Sequence, residues 1–239
     1  MQARIALVTG ASGGLGTAIC QALRAQGHTV IGVDRAPRSP ATADPQLHTR
    51  MLDITDDTAC QALVQELEGS FGSVDILVNN AGITRDATLR KMQIEDWDAV
   101  LGVNLRAAFS LCHAAVPGMV ARGYGRIVNI SSVSGQTGNF GQTNYAAAKA
   151  GLHGLTMSLA RETAAKGITV NSVSPGYVRT PMTAAMPAEA LARTSAAIPV
   201  GRLGEPQDIA RAVAFLADEA SSYITGVNLP VNGGLFMSF

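Results

Sequence analysis

Tyr145 and Lys149 are two residues whose types and spacing could do acid–base chemistry. Side chains four residues apart on a helix share one face, so the ammonium would lie within a few ångströms of the phenol. An unperturbed tyrosine has a pKa of about 10. A nearby ammonium and the N-terminus of the helix that Tyr145 opens would both favour the tyrosinate. We therefore expect a lowered Tyr145 pKa and proton exchange with a carbonyl or alcohol oxygen.

Ser132 and Asn104 are the polar residues that would complete such a catalytic group. Ser132 follows a predicted strand, and strand ends and helix starts meet at one rim of a parallel sheet. Its hydroxyl could hold the oxygen that Tyr145 serves, with Ser131 and Ser134 as rivals and turn capping as the alternative. Asn104 lies in a predicted helix interior, where asparagine is unfavourable. It is either a polar kink or surface residue, or it holds a water near Lys149.

A glycine-rich turn between the first predicted strand and the first predicted helix is a candidate phosphate site. Glycines allow a tight turn and a close approach of ligand to backbone, and a helix N-terminus offers free N–H groups to a pyrophosphate. The spacing is Gly-xxx-Gly-x-Gly rather than GxGxxG, and a plain tight turn is the alternative. The predicted phosphate-binding residues are Gly10, Ser12, Gly13, Gly14, Leu15 and Gly16.

Asp34 ends the second predicted strand, 20 residues after Gly14. A carboxylate at this place accepts hydrogen bonds from the adenosine ribose and would repel a 2′-phosphate, which favours NAD(H) over NADP(H). The guanidinium of Arg35 or Arg38 could instead hold that phosphate. A turn residue at the end of a strand is the structural alternative for Asp34.

Strands and helices alternate along the chain, which predicts βαβ units and a doubly wound α/β sheet. Continuous Val/Ile/Leu runs indicate strands buried on both faces. The predicted strands are Ile5–Thr9, Val30–Asp34, His48–Leu52, Ile76–Asn79, Arg126–Ser131, Thr169–Val173 and Gly226–Leu229. The predicted helices are Leu15–Gln26, Thr58–Ser70, Trp97–Arg122, Tyr145–Lys166 and Pro206–Ala217.

Composition excludes several classes of protein. The 239 residues carry 18 basic and 18 acidic side chains, so neither a strongly basic nucleic-acid binder nor an acidic tail is expected. Only 15% of residues are charged, against about 25% on average, which suggests that sister subunits cover part of the surface. The N-terminus runs straight into a strand, and the apolar runs look too short to cross a bilayer. We expect a cytoplasmic protein without membrane partner.

Cys20, Cys60 and Cys112 are an odd number of widely spaced cysteines. They form no CxxC or Cys/His pattern that would suit zinc, so no metal site is predicted. Buried free thiols in a reducing compartment are the expected state. No repeat or linker interrupts the chain, and the prolines between Ala36 and Pro45 fit one loop. A single domain over 1–239 follows.

Taken together, these motifs resemble the classical short-chain dehydrogenases/reductases along essentially the whole chain. The resemblance implies a three-layer Rossmann-like domain with a seven-stranded parallel sheet, usually in a homotetramer. The matching segments are Thr9-Gly10-Ala11-Ser12-Gly13-Gly14-Leu15-Gly16, Asn79-Asn80-Ala81-Gly82, Asn104, Ser132, Tyr145-xxx-Lys149 and Pro175-Gly176-Tyr177-Val178-Arg179-Thr180.

The resemblance also implies a role for each matching residue. Tyr145 would be the acid/base, Lys149 would lower its pKa and bind the nicotinamide ribose, and Ser132 would position the carbonyl. Asn104 would complete a proton relay. The remaining cofactor contacts would be Asn80, Ala81 and Gly82 on the adenosine side, Asp53 and Ile54 at the adenine, and Pro175, Gly176, Val178 and Thr180 around the nicotinamide.

A narrower resemblance is to the acetoacetyl-CoA reductases, in segments such as Asn80–Asp86, Arg90–Met92, Asp96–Val100 and Phe140–Tyr145. It implies an acyl-CoA near Asp86, Phe140, Gln142 and Tyr177, for which structural loop or core positions are the alternative. Those reductases generally use NADPH and lack a carboxylate at the position of Asp34. The sister group, the 3-oxoacyl-carrier-protein reductases, tends to carry a basic residue where Gly123 stands, which favours a CoA thioester here.

The resulting hypothesis is NAD(P)H-dependent reduction of a 3-oxoacyl thioester, acetoacetyl-CoA first, with Tyr145 as general acid. Residues 182–198, with Met182, Met186 and Pro187, would form a pliable lid over the substrate or an ordinary peripheral helix. The alternatives are a 3-oxoacyl-carrier-protein reductase and NAD-dependent oxidation of a secondary alcohol by a catabolic dehydrogenase. A nucleotide-sensing protein without catalytic activity is a further alternative. The presence of Asn104, Ser132, Tyr145 and Lys149 argues against it.

Overall fold

The computed structural model describes residues 2–36, 45–184 and 188–237, and within these ranges the chain forms one seven-stranded sheet. All neighbouring strands pair in parallel, in the order β3-β2-β1-β4-β5-β6-β7, as a doubly wound α/β fold predicts. The strands are β1 Ile5–Thr9, β2 Thr29–Asp34, β3 Leu47–Met51, β4 Ile76–Asn79, β5 Gly125–Ile130, β6 Ile168–Pro175 and β7 Asn228–Val231.

Helices cover both faces of this sheet and bury its apolar strands. The described helices are α1 Gly14–Ala25, α2 Asp57–Phe71, α3 Ile94–Leu101, α4 Ala107–Arg122, α5 Ser134–Thr137, α6 Thr143–Thr163, α7 Pro181–Ala184, α8 Ala188–Ala197 and α9 Pro206–Ala217. Side chains of α2, α4 and α6 pack on one face of the sheet, and those of α1 and α9 pack on the other. The result is the predicted three-layer arrangement.

The central strands are buried because their side chains face a helical layer on each side. Leu7 of β1 pairs in register with Ile31 of β2 and Leu77 of β4, and all three are fully buried. β1 and β4 are also where the strand order reverses direction. In such sheets a crevice opens beyond the carboxyl ends of the strands at this switch point, and ligands bind there.

The predicted helix Trp97–Arg122 is not one regular helix. Residues 102–106 form a π-helical turn between α3 and α4, and Asn104 lies at its centre with 2% exposure. The idea that Asn104 is a surface residue is therefore wrong. A π turn inserts one residue into the helix, and such insertions are frequent at functional sites.

The expectation that no apolar run could cross a bilayer also needs correction. The continuous helical segment from Ile94 to Arg122 is 29 residues long and apolar enough, by length and composition, to do so. Its second half contributes Leu111, Cys112 and Met119 to the core against the sheet. In this fold 39% of its most apolar stretch is buried, through the side chains that face the sheet and its neighbouring helices.

Other predicted boundaries shift by a few residues. The catalytic-motif helix α6 begins at Thr143, two residues before Tyr145, so Tyr145 does not open it. It ends at Thr163, and Ala164–Lys166 continue as a 3₁₀ turn. The short helices α5, α7 and α8 were not predicted as separate elements. Arg38, Met186 and Pro187 lie outside the described residues.

The three cysteines are buried and free, as predicted. Cys20 belongs to α1, Cys60 to α2 and Cys112 to α4. Burial raises the pKa of the Cys20 and Cys112 thiols to about 12 and that of Cys60 to about 11. Thiols with raised pKa values are poor nucleophiles, so these side chains serve packing.

Gly167 links α6 to β6 in a left-handed conformation (φ +76°) beside another turn. A Cβ there would lie 2.2 Å from the backbone oxygen of Gly123. Gly69 is the matched control, because it lies exposed in α2, and a Cβ there would meet nothing within 4 Å.

We expect Gly167→Ala to lower the free energy of unfolding by about 2–4 kcal/mol. The alanine would have to adopt a left-handed backbone conformation, and its Cβ would clash with the backbone oxygen of Gly123. Gly69→Ala should raise that free energy by up to about 1 kcal/mol through helix propensity. Urea unfolding followed by circular dichroism measures both. An unchanged midpoint in Gly167→Ala would contradict this account of the turn.

Candidate active site

A cleft of about 870 Å³ opens at the carboxyl ends of the strands. Most of the predicted cofactor and catalytic residues line it, although they come from segments far apart in the sequence. The predicted residues that form its wall are Gly10, Gly13, Gly14, Leu15, Gly16, Asp34, Arg35, Asp53, Ile54, Asn80, Ala81, Gly82, Ser132, Tyr145, Lys149, Pro175, Gly176, Val178 and Thr180.

The glycine turn has the geometry that a pyrophosphate requires. Gly10 has a φ of +64°, and a Cβ on Gly16 would lie 2.1 Å from the Gly10 oxygen. The turn can therefore close only because both positions lack a side chain. Helix α1 begins at Gly14, so its unpaired first N–H groups and its positive end face the cleft.

Thr9 braces this turn, a role that the sequence analysis missed. Its Oγ1 accepts hydrogen bonds from the backbone N–H groups of Asn80 and Ala81, both at 3.0 Å. The Asn80 side chain returns a bond from Nδ2 to the Thr9 oxygen at 2.8 Å. The loop after β4 is thereby fixed against the loop after β1. A hydroxyl residue directly before Gly10 was the feature of the sequence from which this role could have been predicted.

Asp34 lies at the end of β2 and lines the cleft beside the glycine turn. Its Oδ2 accepts a hydrogen bond from the Ser12 N–H at 3.2 Å, which ties it to the glycine turn. Arg35 is exposed beside it and also lines the cleft. The structure therefore brings together the carboxylate that would repel a 2′-phosphate and a guanidinium that could attract one.

Asp53 and Ile54 follow β3 and lie on the same side of the cleft. Asp53 Oδ1 accepts bonds from the Thr55 N–H at 3.0 Å and the Thr55 hydroxyl at 2.7 Å. These bonds hold the Asp53 pKa below its ordinary value. A fixed carboxylate beside the buried Ile54 side chain suits one polar and one apolar contact to a purine.

Lys149 is a nearly fully buried cation beneath the catalytic group. Its ammonium donates to the Ile130 carbonyl at 2.7 Å and lies 5.6 Å from the centroid of the Tyr145 ring. Its side chain is 3% exposed, and burial lowers its pKa to about 8. Desolvation is the cause, because an ammonium removed from water is less stable.

The Tyr145 pKa is raised in this structure, so the prediction of a lowered pKa is wrong. Burial of the phenol is the largest cause, while the hydrogen bond to Ser132 lowers the pKa and the Asp86 charge raises it. Two assumptions failed: Tyr145 does not begin its helix, and Lys149 is itself desolvated. The phenol is protonated at neutral pH, which is the form of a general acid.

The structure separates Ser132 from its two rivals. Ser132 Oγ accepts the Ser134 N–H at 3.1 Å, and Ser132 lies near enough to Tyr145 to lower the pKa of its phenol. Ser131 is buried and donates to the Lys149 carbonyl at 2.8 Å. Ser134 donates to the Gln142 side chain at 3.2 Å. Ser131 and Ser134 thus donate their hydroxyl protons to other partners, whereas Ser132 lines the cleft together with Tyr145.

Asn104 is held by two bonds that leave its amide oxygen unpaired among the described atoms. Nδ2 donates to the carbonyls of Ile83 at 2.9 Å and Val100 at 2.8 Å, and Oδ1 has no partner. A Cβ on Gly82 would lie 2.6 Å from Oδ1 and 3.5 Å from Lys149 Nζ. The space that this glycine leaves places an unpaired acceptor beside the ammonium, as a water-mediated relay would require.

The four predicted substrate residues lie outside the described wall of the cleft. Gln142 donates to Asp86 at 2.9 Å, so these two form a polar pair near Tyr145. Phe140 is 89% exposed, and Tyr177 is partly buried. The structure thus brings together Asp86 and Gln142, whereas Phe140 makes little contact with the protein.

The predicted lid begins beside the cleft. Thr183 Oγ1 donates to the Val178 carbonyl at 2.7 Å and accepts from the Thr180 N–H at 2.9 Å, which anchors α7. Helix α8 follows after residues 185–187, which are not described. The described residues contain no group of three or more His, Cys, Asp or Glu that could hold a metal ion.

Comparison with known proteins agrees with this geometry. A family model described as enoyl-(acyl carrier protein) reductase matches residues 10–236. Acetoacetyl-CoA reductase from Allochromatium vinosum is 50% identical, covering 98% of this chain and 99% of the relative. Acetoacetyl-CoA reductase from Cupriavidus necator is 47% identical over 99% and 100% of the two chains.

The 3-oxoacyl-[acyl-carrier-protein] reductase FabG of Haemophilus influenzae is 46% identical over the full length of both chains. These similarities extend over the sheet, the glycine turn and the helix that carries Tyr145 and Lys149. The chain therefore belongs to the short-chain dehydrogenase/reductase family of nicotinamide-dependent oxidoreductases.

Proposed function

We propose that this protein reduces a 3-oxoacyl thioester, acetoacetyl-CoA first, to the 3-hydroxyacyl thioester at the expense of NAD(P)H. One observation carries the proposal: Ser132 and Tyr145 line the same cleft, Ser132 lies near enough to lower the Tyr145 pKa, and the Lys149 ammonium is 5.6 Å from the centre of the Tyr145 ring. Two hydroxyl donors converging on one oxygen suit reduction of a carbonyl. The relatives named as acetoacetyl-CoA and 3-oxoacyl-carrier-protein reductases support this substrate class.

The cofactor would be held by the residues that line the cleft. The glycine turn and the start of α1 would bind the pyrophosphate, and Asp34 the adenosine ribose. Asp53, Ile54 and the loop from Asn80 to Gly82 would contact the adenosine. Lys149 and the segment from Pro175 to Thr180 would hold the nicotinamide side. Bound there, the nicotinamide supplies the hydride for the carbonyl carbon.

The protein's own residues supply the proton and stabilise the developing charge. Tyr145 gives its proton to the carbonyl oxygen, and Ser132 donates a hydrogen bond to the same oxygen. The Lys149 ammonium stabilises the tyrosinate that results. Asn104 then holds a water that returns a proton towards Lys149 and Tyr145. The raised Tyr145 pKa keeps the phenol protonated at the start, which suits the reductive direction.

A carrier-protein thioester is the second candidate substrate. The named relatives include such reductases. Gly123 offers no side chain to an acidic carrier, and Arg122 beside it is already engaged with Glu68 at 3.0 Å and Asp75 at 3.7 Å. An arginine held in this way cannot replace the missing base without breaking those contacts. This observation favours the CoA thioester.

The proposal includes the organisation of the whole protein. Residues 1–239 form one Rossmann-like domain in which residues 182–198 close over the substrate. A cytoplasmic homotetramer without nucleic-acid or membrane partner is supported by the buried free thiols and the low charge. Phe109, Met157 and Phe215 are exposed apolar side chains that a second copy of the chain would bury in a subunit interface.

The direct test follows nicotinamide absorbance with purified protein and acetoacetyl-CoA. We expect oxidation of the reduced cofactor, and a loss of about 10²–10⁴ in kcat for Tyr145→Phe because the general acid is removed. Tyr223→Phe is the matched control, since Tyr223 is fully exposed and should keep wild-type turnover.

Retained turnover in Tyr145→Phe would refute the assignment of the acid. Cofactor binding without acetoacetyl-CoA turnover in the wild type would refute the substrate. Faster turnover of a 3-oxoacyl carrier protein would then select the second candidate, and oxidation of secondary alcohols with NAD would select a catabolic dehydrogenase. Binding without any turnover would select a nucleotide-sensing protein.

We further propose NAD(H) as the preferred cofactor, on the support of the Asp34 carboxylate in the cleft. Asp34→Asn should reduce the preference for NADH over NADPH by about tenfold or more in kcat/KM, because a like-charge repulsion of over 1.4 kcal/mol is removed. Arg35→Ala is the paired variant and should leave NADH use unchanged. A wild-type preference for NADPH that Arg35→Ala abolishes would reverse the proposal.

The Lys149 pKa of about 8 predicts an alkaline limb in the pH profile. As the pH rises through this value the ammonium loses its proton, whereas Tyr145 stays protonated. If only the charged lysine is active, kcat/KM for reduction should fall about tenfold by one pH unit above that pKa. The residual activity of Lys149→Arg should show no such fall. A flat wild-type profile through that range would contradict the role of the charge.

A further inference from the structure

A second polar group lies between β5, α6 and β6, next to the proposed catalytic residues. His153 Nε2 is 2.8 Å from the Ser131 hydroxyl and 3.4 Å from the Ser174 hydroxyl. Ser131 and Ser174 are buried, and His153 is partly buried one helical turn after Lys149 on α6. None of these three side chains contributes to the proposed proton transfer.

The other partners of the two serines favour one direction for these hydrogen bonds. Ser131 donates its one hydroxyl proton to the Lys149 carbonyl at 2.8 Å. Ser174 donates its own to Asn228 Oδ1 at 2.7 Å. A hydroxyl has a single proton, so with these two bonds made both serine oxygens are left as acceptors. This arrangement favours the His153 tautomer with its proton on Nε2, directed at Ser131, the nearer of the two oxygens.

The bond from His153 to Ser131 supports the backbone on both sides of that serine. The carbonyl of Ile130, the residue before it, accepts a hydrogen bond from the Lys149 ammonium at 2.7 Å. Ser132, the residue after it, lines the cleft together with Tyr145. Ser131 itself is bonded to the Lys149 backbone. The end of β5 and the lysine turn of α6 are thus joined twice, and His153 orients the hydroxyl that makes one of the two joints.

Helix α5, which follows Ser132 in the chain, also packs closely against α6 at Lys149. A Cβ on Gly135 would lie 2.7 Å from the Lys149 backbone carbon. Loss of the bond from Ser131 to the Lys149 carbonyl would therefore change how the residues after β5, Ser132 among them, sit against Lys149. Small displacements of catalytic groups are costly, because catalysis depends on near-exact geometry.

We infer that His153 is a positioning residue for the reaction: through its Nε2 proton and Ser131 it holds Ser132 and Lys149 in their relative placement. This inference rests on the proposed function for its kinetic consequence. Its structural content, the proton on Nε2 and the bond to Ser131, stands independently of the substrate.

The kinetic test compares His153→Leu, which removes the donor, with His153→Gln, which places an amide N–H near the same point. We expect kcat to fall about tenfold in His153→Leu with little change in KM or in cofactor affinity, and to recover in His153→Gln. In a Ser131→Ala background His153→Leu should have no further effect on kcat, because the two residues act in series. His48→Leu, at the far edge of the sheet, controls for loss of an imidazole.

The tautomer test uses ¹⁵N NMR of the histidine rings in the wild-type protein and needs neither substrate nor variant. A proton on Nε2 of His153 is the expected result, and a proton on Nδ1 alone would overturn the inference. Additive losses in the His153 and Ser131 variants, or equal losses in His153→Leu and His153→Gln, would overturn it as well. A wild type that binds cofactor but does not reduce acetoacetyl-CoA would instead refute the proposed function.

Discussion

The buried ammonium of Lys149 is the constraint on which the rest of the site depends. A lysine with 3% exposure is stable only if its charge finds a partner, and here that partner is the Ile130 carbonyl at 2.7 Å. This single bond links the last residue of β5 to the middle of α6. It also leaves the lysine desolvated, with a pKa of about 8, so its charge responds to small changes in its surroundings. The positions of Ser132 and Tyr145 follow, because each lies within four residues of one end of this bond.

The parallel sheet makes that bond possible. Its strands all end at one edge, so the glycine turn after β1, the loop after β4 and the serine loop after β5 meet there. Polar side chains then hold these loops in place. Thr9 joins the loop after β1 to Asn80 in the loop after β4, and Ser131 joins the loop after β5 to helix α6. The cleft is thus framed by loops that are each fixed to a neighbour, although every loop lies outside the regular hydrogen bonding of the sheet.

The sequence predicted the elements well and the local electrostatics poorly. The strands were recognisable because runs such as Ile5–Thr9 are apolar on both faces, as burial between two helical layers requires. The catalytic and glycine-turn residues were recognisable by type and order. The direction of the Tyr145 pKa was not, because it depends on how much water the phenol and Lys149 lose on folding. The polar network through Ser131 was also invisible, because no spacing in one dimension joins β5, α6 and β6.

The π turn at residues 102–106 has a consequence for the phase of the helices around it. One additional residue rotates everything after it by about 100° relative to a continuous α-helix. Helix α3 can therefore face α6 while α4 faces α2, although the two helices are continuous in the chain. Removing one residue from this turn would leave composition and length almost unchanged, yet it would force one of these two interfaces out of phase. The π turn rotates α4 relative to α3, so the two helices can pack against different neighbours. Asn104 lies in this turn.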